Sequence, residues 1–422
     1  MSRLALVSLL ILYAGTLRGQ ETPAQEQSEV VRLLLRKVDA LEKRVAELEQ
    51  KQGEQTVAAP DDGGAAPKTG DAASDPTAAP ARAGTAMDEH DHASANPASE
   101  ERYPSLRIRG FGDINFSATD NRTQHSGFNM GQFTLHLASP LSKKITYFGE
   151  IALTAQPTSF SVELERSLIR YDYDDYFKIS FGRYHTPVNY WNTAFHHGLW
   201  LQTTISRPDM IQFGGAFLPV HFVGVLAEGS IPSGALGLAY DAGVGNGRGP
   251  NLLRPGDTGD VNSNRAWLAN LYARPPKLDG LQVGGSVYQD KINPGKGADF
   301  QELITAAHVI WNKESPEFLA EFANVRHRNL ITSQTFNNQA FYIQLAYRLP
   351  GEARPWKPYY RYDYIFTPAN EPVFGLLDVE RSTLGVRYDI SDLAAFKAEY
   401  RNTRQPNKSR VNGLFLQTSF TF

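Results

Sequence analysis

No cysteine occurs in the 422 residues. That excludes disulfide bonds, thiolate metal sites and a cysteine nucleophile, and with them a lipid-modified N-terminal cysteine. An excess of one charge is missing as well, since 42 Lys and Arg stand against 45 Asp and Glu. No basic stripe emerges from that balance, so a nucleic-acid partner is not expected. Long hydrophobic runs are also lacking. Beyond the first residues no apolar stretch approaches the ~20 residues that a spanning helix needs. No nucleophile-elbow or zinc-protease spacing stands out, and chance Ser–His–Asp groupings are too easily assembled to inform. Neither an enzyme, a catalytic residue nor a cofactor is expected.

What is present begins with a leader. Arg3, the apolar run Leu4 to Leu12 and the small residues Ala14, Gly15 and Thr16 read as a secretory signal over residues 1–20, cleaved after Gly19 or Gln20. Val31, Leu34, Val38, Leu41, Val45 and Leu48 then recur at alternating steps of three and four. This is a heptad seam with Val at a and Leu at d, and it predicts a coiled coil over 28–52. Lys37 with Glu42, and Arg44 with Glu49, stand where parallel neighbours pair charges. A single amphipathic helix packed on another body remains the alternative. About three heptads are marginal alone, and Val–Leu seams lean toward dimers. Residues 53–103 are Ala, Pro, Gly, Asp and Ser with almost no large apolar side chain, a disordered linker. His90 and His92 within it read as solvated polar residues.

From residue 104 to 422 the composition turns aromatic and alternating, with about sixteen segments of strand length. The connections alternate between long (117–130, 185–217, 245–263, 291–302, 328–337, 367–378) and short (139–143, 173–175, 230–233, 275–280, 313–316, 350–355, 390–392). Tyr360, Tyr362 and Tyr364 share one face of their segment, while Arg361 and Asp363 take the other. Polar inside and apolar outside, with tight turns at one end and loops at the other, predicts an all-β transmembrane barrel of about sixteen antiparallel strands. The fourth, sixth and eighth segments alternate poorly, which leaves eighteen strands open.

The last segment sets Leu414, Leu416, Thr418, Phe420 and Phe422 on one face and stops on Phe422. That ending resembles the closing strand of bacterial outer-membrane barrels. The resemblance implies outer-membrane lipid as surroundings and the barrel-assembly machinery as a partner. The longest connection falls between the fifth and sixth strands, the position of the constriction loop in sixteen-stranded trimeric porins. Gly182-Arg183-Tyr184-His185-Thr186-Pro187, then Tyr190-Trp191-Asn192 and His196-His197-Gly198, resemble the equivalent segment of the phosphate-selective porin O and P family. That family implies a homotrimeric channel for anions such as phosphate. Its lysine cluster and arginine ladder have no clear counterpart in this sequence.

Selectivity would follow from charges facing the lumen. Alternation turns Arg361, Arg381, Arg387, Lys397 and Arg401 inward, and barrel closure adds Arg107 and Arg109. The constriction-loop candidates are His185, His196, His197 and Arg207, against the single acid Asp209. Asp113, Asp363 and Glu399 share the basic wall, so a mild anion preference stands beside an ordinary mixed lumen. Loop histidines can make conductance pH-sensitive. Two adjacent histidines can also touch a metal, but no carboxylate stands near them in sequence and no metal is assigned. The expected function is passive diffusion of small hydrophilic solutes. The alternative is an envelope tether, anchored by the barrel, whose coiled coil contacts peptidoglycan.

Overall fold

The computed structural model of the chain describes residues 103–422, apart from 157, 213–216, 250, 251, 253–261, 296, 406 and 407. The expected signal segment, the coiled coil and nearly all of the linker lie outside the described residues. Sixteen strands follow one another: β1 (Arg107–Thr119), β2 (Gly127–Pro140), β3 (Ile145–Ala155), β4 (Phe160–Asp172), β5 (Lys178–His185), β6 (His221–Ile231), β7 (Leu238–Gly245), β8 (Ala266–Ala273), β9 (Leu281–Ile292), β10 (Phe300–Trp311), β11 (Glu317–Asn329), β12 (Thr335–Ala346), β13 (Trp356–Phe366), β14 (Val379–Ser391), β15 (Ala394–Arg404) and β16 (Val411–Thr421). Each pairs antiparallel with its neighbours in sequence, and β16 closes on β1 with Phe111 opposite Thr421 and Thr119 opposite Gly413. The count is sixteen.

The two faces separate cleanly. On β13, Lys357, Tyr359, Arg361, Asp363 and Ile365 are buried, while Trp356, Pro358, Tyr360 and Phe366 between them are exposed. On β10, Ile304, Ala306, His308 and Ile310 point inward, and Thr305, Ala307 and Val309 outward. Outward residues such as Phe181, Ile343, Leu345, Leu384, Tyr400 and Leu414 leave an apolar band exposed around the barrel. A closed ladder satisfies every strand's backbone groups without water, and such a band suits lipid. The fold is a closed barrel of the membrane-spanning kind, with tight turns gathered at one end.

Three sequence expectations are corrected. The connections expected at 117–130 and 328–337 shrink to 120–126 and 330–334, because the flanking strands run further. Exposed Phe128 and Met130 extend the outer face of β2, and Thr335 pairs with Arg328 to extend β12. Second, the poor alternation of β4 is a β-bulge. Glu150 lies opposite Arg166 and Ile151 opposite Leu164, so Glu165 is the extra residue, and both Glu165 and Arg166 are buried. A further bulge sets Asp113 opposite both Gly131 and Gln132.

Third, the interior is not uniformly polar. β8 does alternate, with Ala266, Leu268 and Asn270 turned inward and Trp267, Ala269 and Leu271 outward; both faces are largely apolar, which hid the period. Inward-facing Leu268, Tyr288, Ile304, Leu319, Tyr342 and Ile365 form one apolar core with residues of the long connection 186–220, among them Trp191, Phe195, Ile211 and Phe217. The connection therefore folds into the barrel. Burying such side chains contributes about 1.5–3 kcal/mol each, which holds the loop against β8–β13.

Candidate functional site in the barrel interior

Local chemistry turns the chain inward directly after β5. The Thr186 amide donates to the Val220 carbonyl at 3.1 Å, which holds the two ends of the connection together. Asn189 takes a left-handed conformation, φ 64°, one that asparagine tolerates better than most residues. Its amide donates to Ser286 Oγ at 2.9 Å and its side chain to the Phe322 carbonyl at 3.1 Å. A single helical turn, α1 (Trp191–Ala194), follows. Glu321 of β11 accepts the amides of Tyr190 and Trp191 at 3.2 and 2.6 Å. Asn192 donates to both Thr186 O and Val220 O, at 3.0 and 2.9 Å. The Tyr-Trp-Asn stretch thus pins the root of the loop to the wall.

The basic strip lies on the wall that the loop faces, and it binds the loop's backbone. Arg361 donates to Asp363 Oδ2, Thr204 Oγ1, the Ser206 carbonyl, Ser206 Oγ and the Arg207 carbonyl at 2.6–3.1 Å. Those are all five N–H donors of a guanidinium. Lys397 spends its three on the carbonyls of Leu199, Gln202 and Thr204. Arg387 reaches the carbonyls of Trp200 and Gln202, and Asp389. Acids between these bases take the loop's amides: Glu399 accepts from Ile205 at 2.6 Å and Asp363 from Asp209 at 3.0 Å. Alternating charge on β13–β15 therefore serves as a template for residues 199–209.

The remaining predicted bases divide. Arg381 pairs with Asp209 at 2.7 Å and Arg401 with Glu399 at 2.5 Å, yet both guanidinium groups keep more exposure than their acids, 18% against 6% and 13% against 0%. Arg107 and Arg109 are exposed at the start of β1, opposite Ala138 and His136 of β2. Arg207 is buried in the loop and donates to the carbonyls of His196 and Ile211. Burial pushes it down to about 9, against the pull of Glu165 and Glu150.

The structure gathers His185, His196 and His197 at one place, and it adds residues that sequence spacing did not connect. His221, opposite His185 in the β5–β6 pairing, completes a stack in which the His185 and His196 rings lie 3.7 Å apart. The carboxylates absent nearby in sequence come from the wall. Glu165 Oε2 stands 2.7, 3.3 and 3.9 Å from the Nε2 atoms of His221, His197 and His196, and Glu150 Oε2 is 3.6 Å from His185 Nε2. Burial first, then His185, His197, Arg207 and His221, holds His196 well below the ordinary imidazole value. The poor alternation of the fourth segment was the one sequence signal for Glu165.

Arg248 and Glu371, from two further connections, pair with the β10–β11 wall. Arg248 donates to Glu302 at 2.8 Å, Glu302 meets His327 at 2.8 Å, and His327 meets Glu371 at 3.3 Å. None of these four residues was singled out in the sequence, because each needs a partner from a different strand or loop.

No family model and no curated protein matches the chain. Solved structures do. An anion-selective porin from Comamonas acidovorans aligns over 76% of this chain and all of its own at TM-score 0.57 and 12% identity. OmpF of Salmonella typhi, in a complex with daunomycin, aligns over 76% of this chain and 98% of its own at TM-score 0.53 and 15% identity. The outer-membrane channel DcaP of Acinetobacter baumannii gives 76%, 99%, 0.53 and 11%. At these identities the likeness is one of fold: a sixteen-stranded outer-membrane barrel of the kind seen in porins.

Proposed function

We propose that the protein is an outer-membrane porin through which small hydrophilic solutes diffuse passively, with a modest preference for anions. The observation that carries this is the infolded connection 186–220, held from one side by β9–β11 and from the other by the charged strip of β13–β15. A loop so fixed narrows the lumen without a moving part. The basic strip itself argues for restraint about selectivity, because Arg361 and Lys397 have no N–H left for a passing anion. Arg381 and Arg401 remain, each more exposed than the acid that pairs with it. Weak, multiple contacts of that kind let an ion enter and leave. The segment around Tyr190-Trp191-Asn192 also supports kinship with the phosphate-selective porin O and P family, and phosphate belongs among the solutes to be tried. A homotrimer fits as well, since one similar structure, OmpT of Vibrio cholerae, is of a trimer form.

The test is reversal potential across a planar bilayer under a salt gradient. The expected result is stepwise conductance with a small anion-selective potential, retained when residues 21–102 are removed. A cation-selective potential would overturn the anion preference. Absent conductance after that truncation, with peptidoglycan binding by the full chain, would favour the tether.

A further inference from the structure

The histidine cluster does more than fill space. Asn192 Nδ2 donates to two backbone carbonyls, so the orientation of its amide is fixed and Oδ1 must accept. The atom it accepts from is His196 Nδ1, at 2.8 Å. Gln132 stands in the like place beside His197, 3.1 Å from Nδ1, with its other end on the Thr154 hydroxyl, which can donate or accept. With Nδ1 carrying the proton on His196, its Nε2 turns a lone pair toward Glu165 Oε2 at 3.9 Å. Acceptor then faces acceptor, and a cation between them resolves the conflict. His185 Nε2 is buried close by and faces Glu150 Oε2 at 3.6 Å.

Spacing agrees with a metal. Glu165, His196 and His197 offer ligand atoms within 4.8 Å of one another, as do His185, His196 and His221, and Glu150, His185 and His197. A tetrahedral ion with bonds near 2.0–2.1 Å needs ligand atoms about 3.3 Å apart, which Glu165 and His197 already meet. His221 is the poorer ligand. Its Nδ1 faces the Arg183 guanidinium at 2.9 Å and must accept there, so Nε2 carries the proton toward Glu165. Arg166 is taken up by Glu150, and Arg183, 4.0 Å from Glu165 Oε2, donates to His221 Nδ1 and the Leu164 carbonyl, so the Glu165 carboxylate faces an incoming dication with one distant guanidinium beside it. Amide oxygens on the second nitrogens of ligating histidines are the usual outer support of such sites. Of the three register shifts among the described strand pairs, two place residues here: one turns Glu165 inward, the other brings Gln132. Bulges re-aim side chains in this way.

We propose that His196, His197 and Glu165 bind one divalent transition-metal ion, zinc foremost, which ties the infolded loop to β4. Two imidazoles with one carboxylate, leaving the fourth position to water, suit zinc, copper or nickel rather than calcium or magnesium. The inference is independent of whether the barrel conducts. Full-length protein carrying His90→Ala and His92→Ala, which silences the linker histidines, is stripped with chelator, dialysed against zinc and assayed by atomic emission. The expected content is about one zinc per chain, lost in His196→Gln and His197→Gln. Cobalt in place of zinc should give the strong visible bands of a four-coordinate site. Gln132→Leu should weaken binding about 10–100-fold, which a purely structural role for the cluster would not produce. Folding of each variant is checked by heat-modifiable mobility. Folded protein with far less than stoichiometric zinc, or with undiminished zinc in His197→Gln, would overturn the proposal. If the histidine variants do not fold, the cobalt spectrum and Gln132→Leu decide it.

Discussion

Arg361 and Lys397 are fully buried cations whose every N–H is committed, and burying either under the loop without those partners would be costly. Charge-assisted hydrogen bonds contribute roughly 1.5–3 kcal/mol each, but the larger effect is what removal leaves behind. Arg361→Met strands Asp363 and four loop oxygens, and should destabilise the folded barrel by about 3–5 kcal/mol, read as a lower urea midpoint in detergent. His196 gives a pH dependence of definite sign. As a base held below its ordinary value of 6.5, it takes up a proton more readily when the protein unfolds. Stability should therefore be complete above 6.5 and fall as pH drops toward the depressed folded value. The groups facing it are Glu165, His185, His197, His221 and Arg207. Thermal midpoints of chelator-stripped wild type should decline on acidification to about pH 5, and more steeply than those of equally stripped His196→Gln; parallel declines would contradict this. Inward bases such as Arg361 were legible from strand parity. Their partners were not, because parity says which way a side chain points and nothing about what fills the space it enters.

Among the elements, the connection 186–220 and its bulged neighbours matter most. Its length and place between β5 and β6 were legible, and so was the importance of the Tyr190-Trp191-Asn192 stretch. Its apolar seat was not, since inward-facing Leu268 and Ile304 look like ordinary strand residues until the loop is laid against them. Trp191 is almost wholly buried in that seat. Trp191→Ala should leave a cavity costing about 3–5 kcal/mol, and it should make the loop, rather than the strands, the first segment cut by protease. Simultaneous cleavage of loop and strands would mean that the loop is not separately held. The bulge at Glu165 shows why irregular alternation in β4 was informative: a broken period marked the place where two consecutive side chains turn inward.

At the scale of the whole molecule, closure was the most legible property. Alternation, turn spacing and the outward stripe of β16 all point to one closed sheet, because lipid permits no open edge. Loop lengths were legible only coarsely, since outward Phe128 and Met130 carry β2 beyond the point where polar neighbours suggested a loop. The interior carries the functional reading: a fixed barrel narrowed by a loop that a charged wall holds in place. Single-channel conductance of wild type and of an Arg361→Ser, Lys397→Ser double variant in planar bilayers tests this most directly. Discrete steps in wild type, and larger or noisier steps once the loop is released, are the predicted result. No steps in wild type, or identical steps in the folded variant, would contradict it.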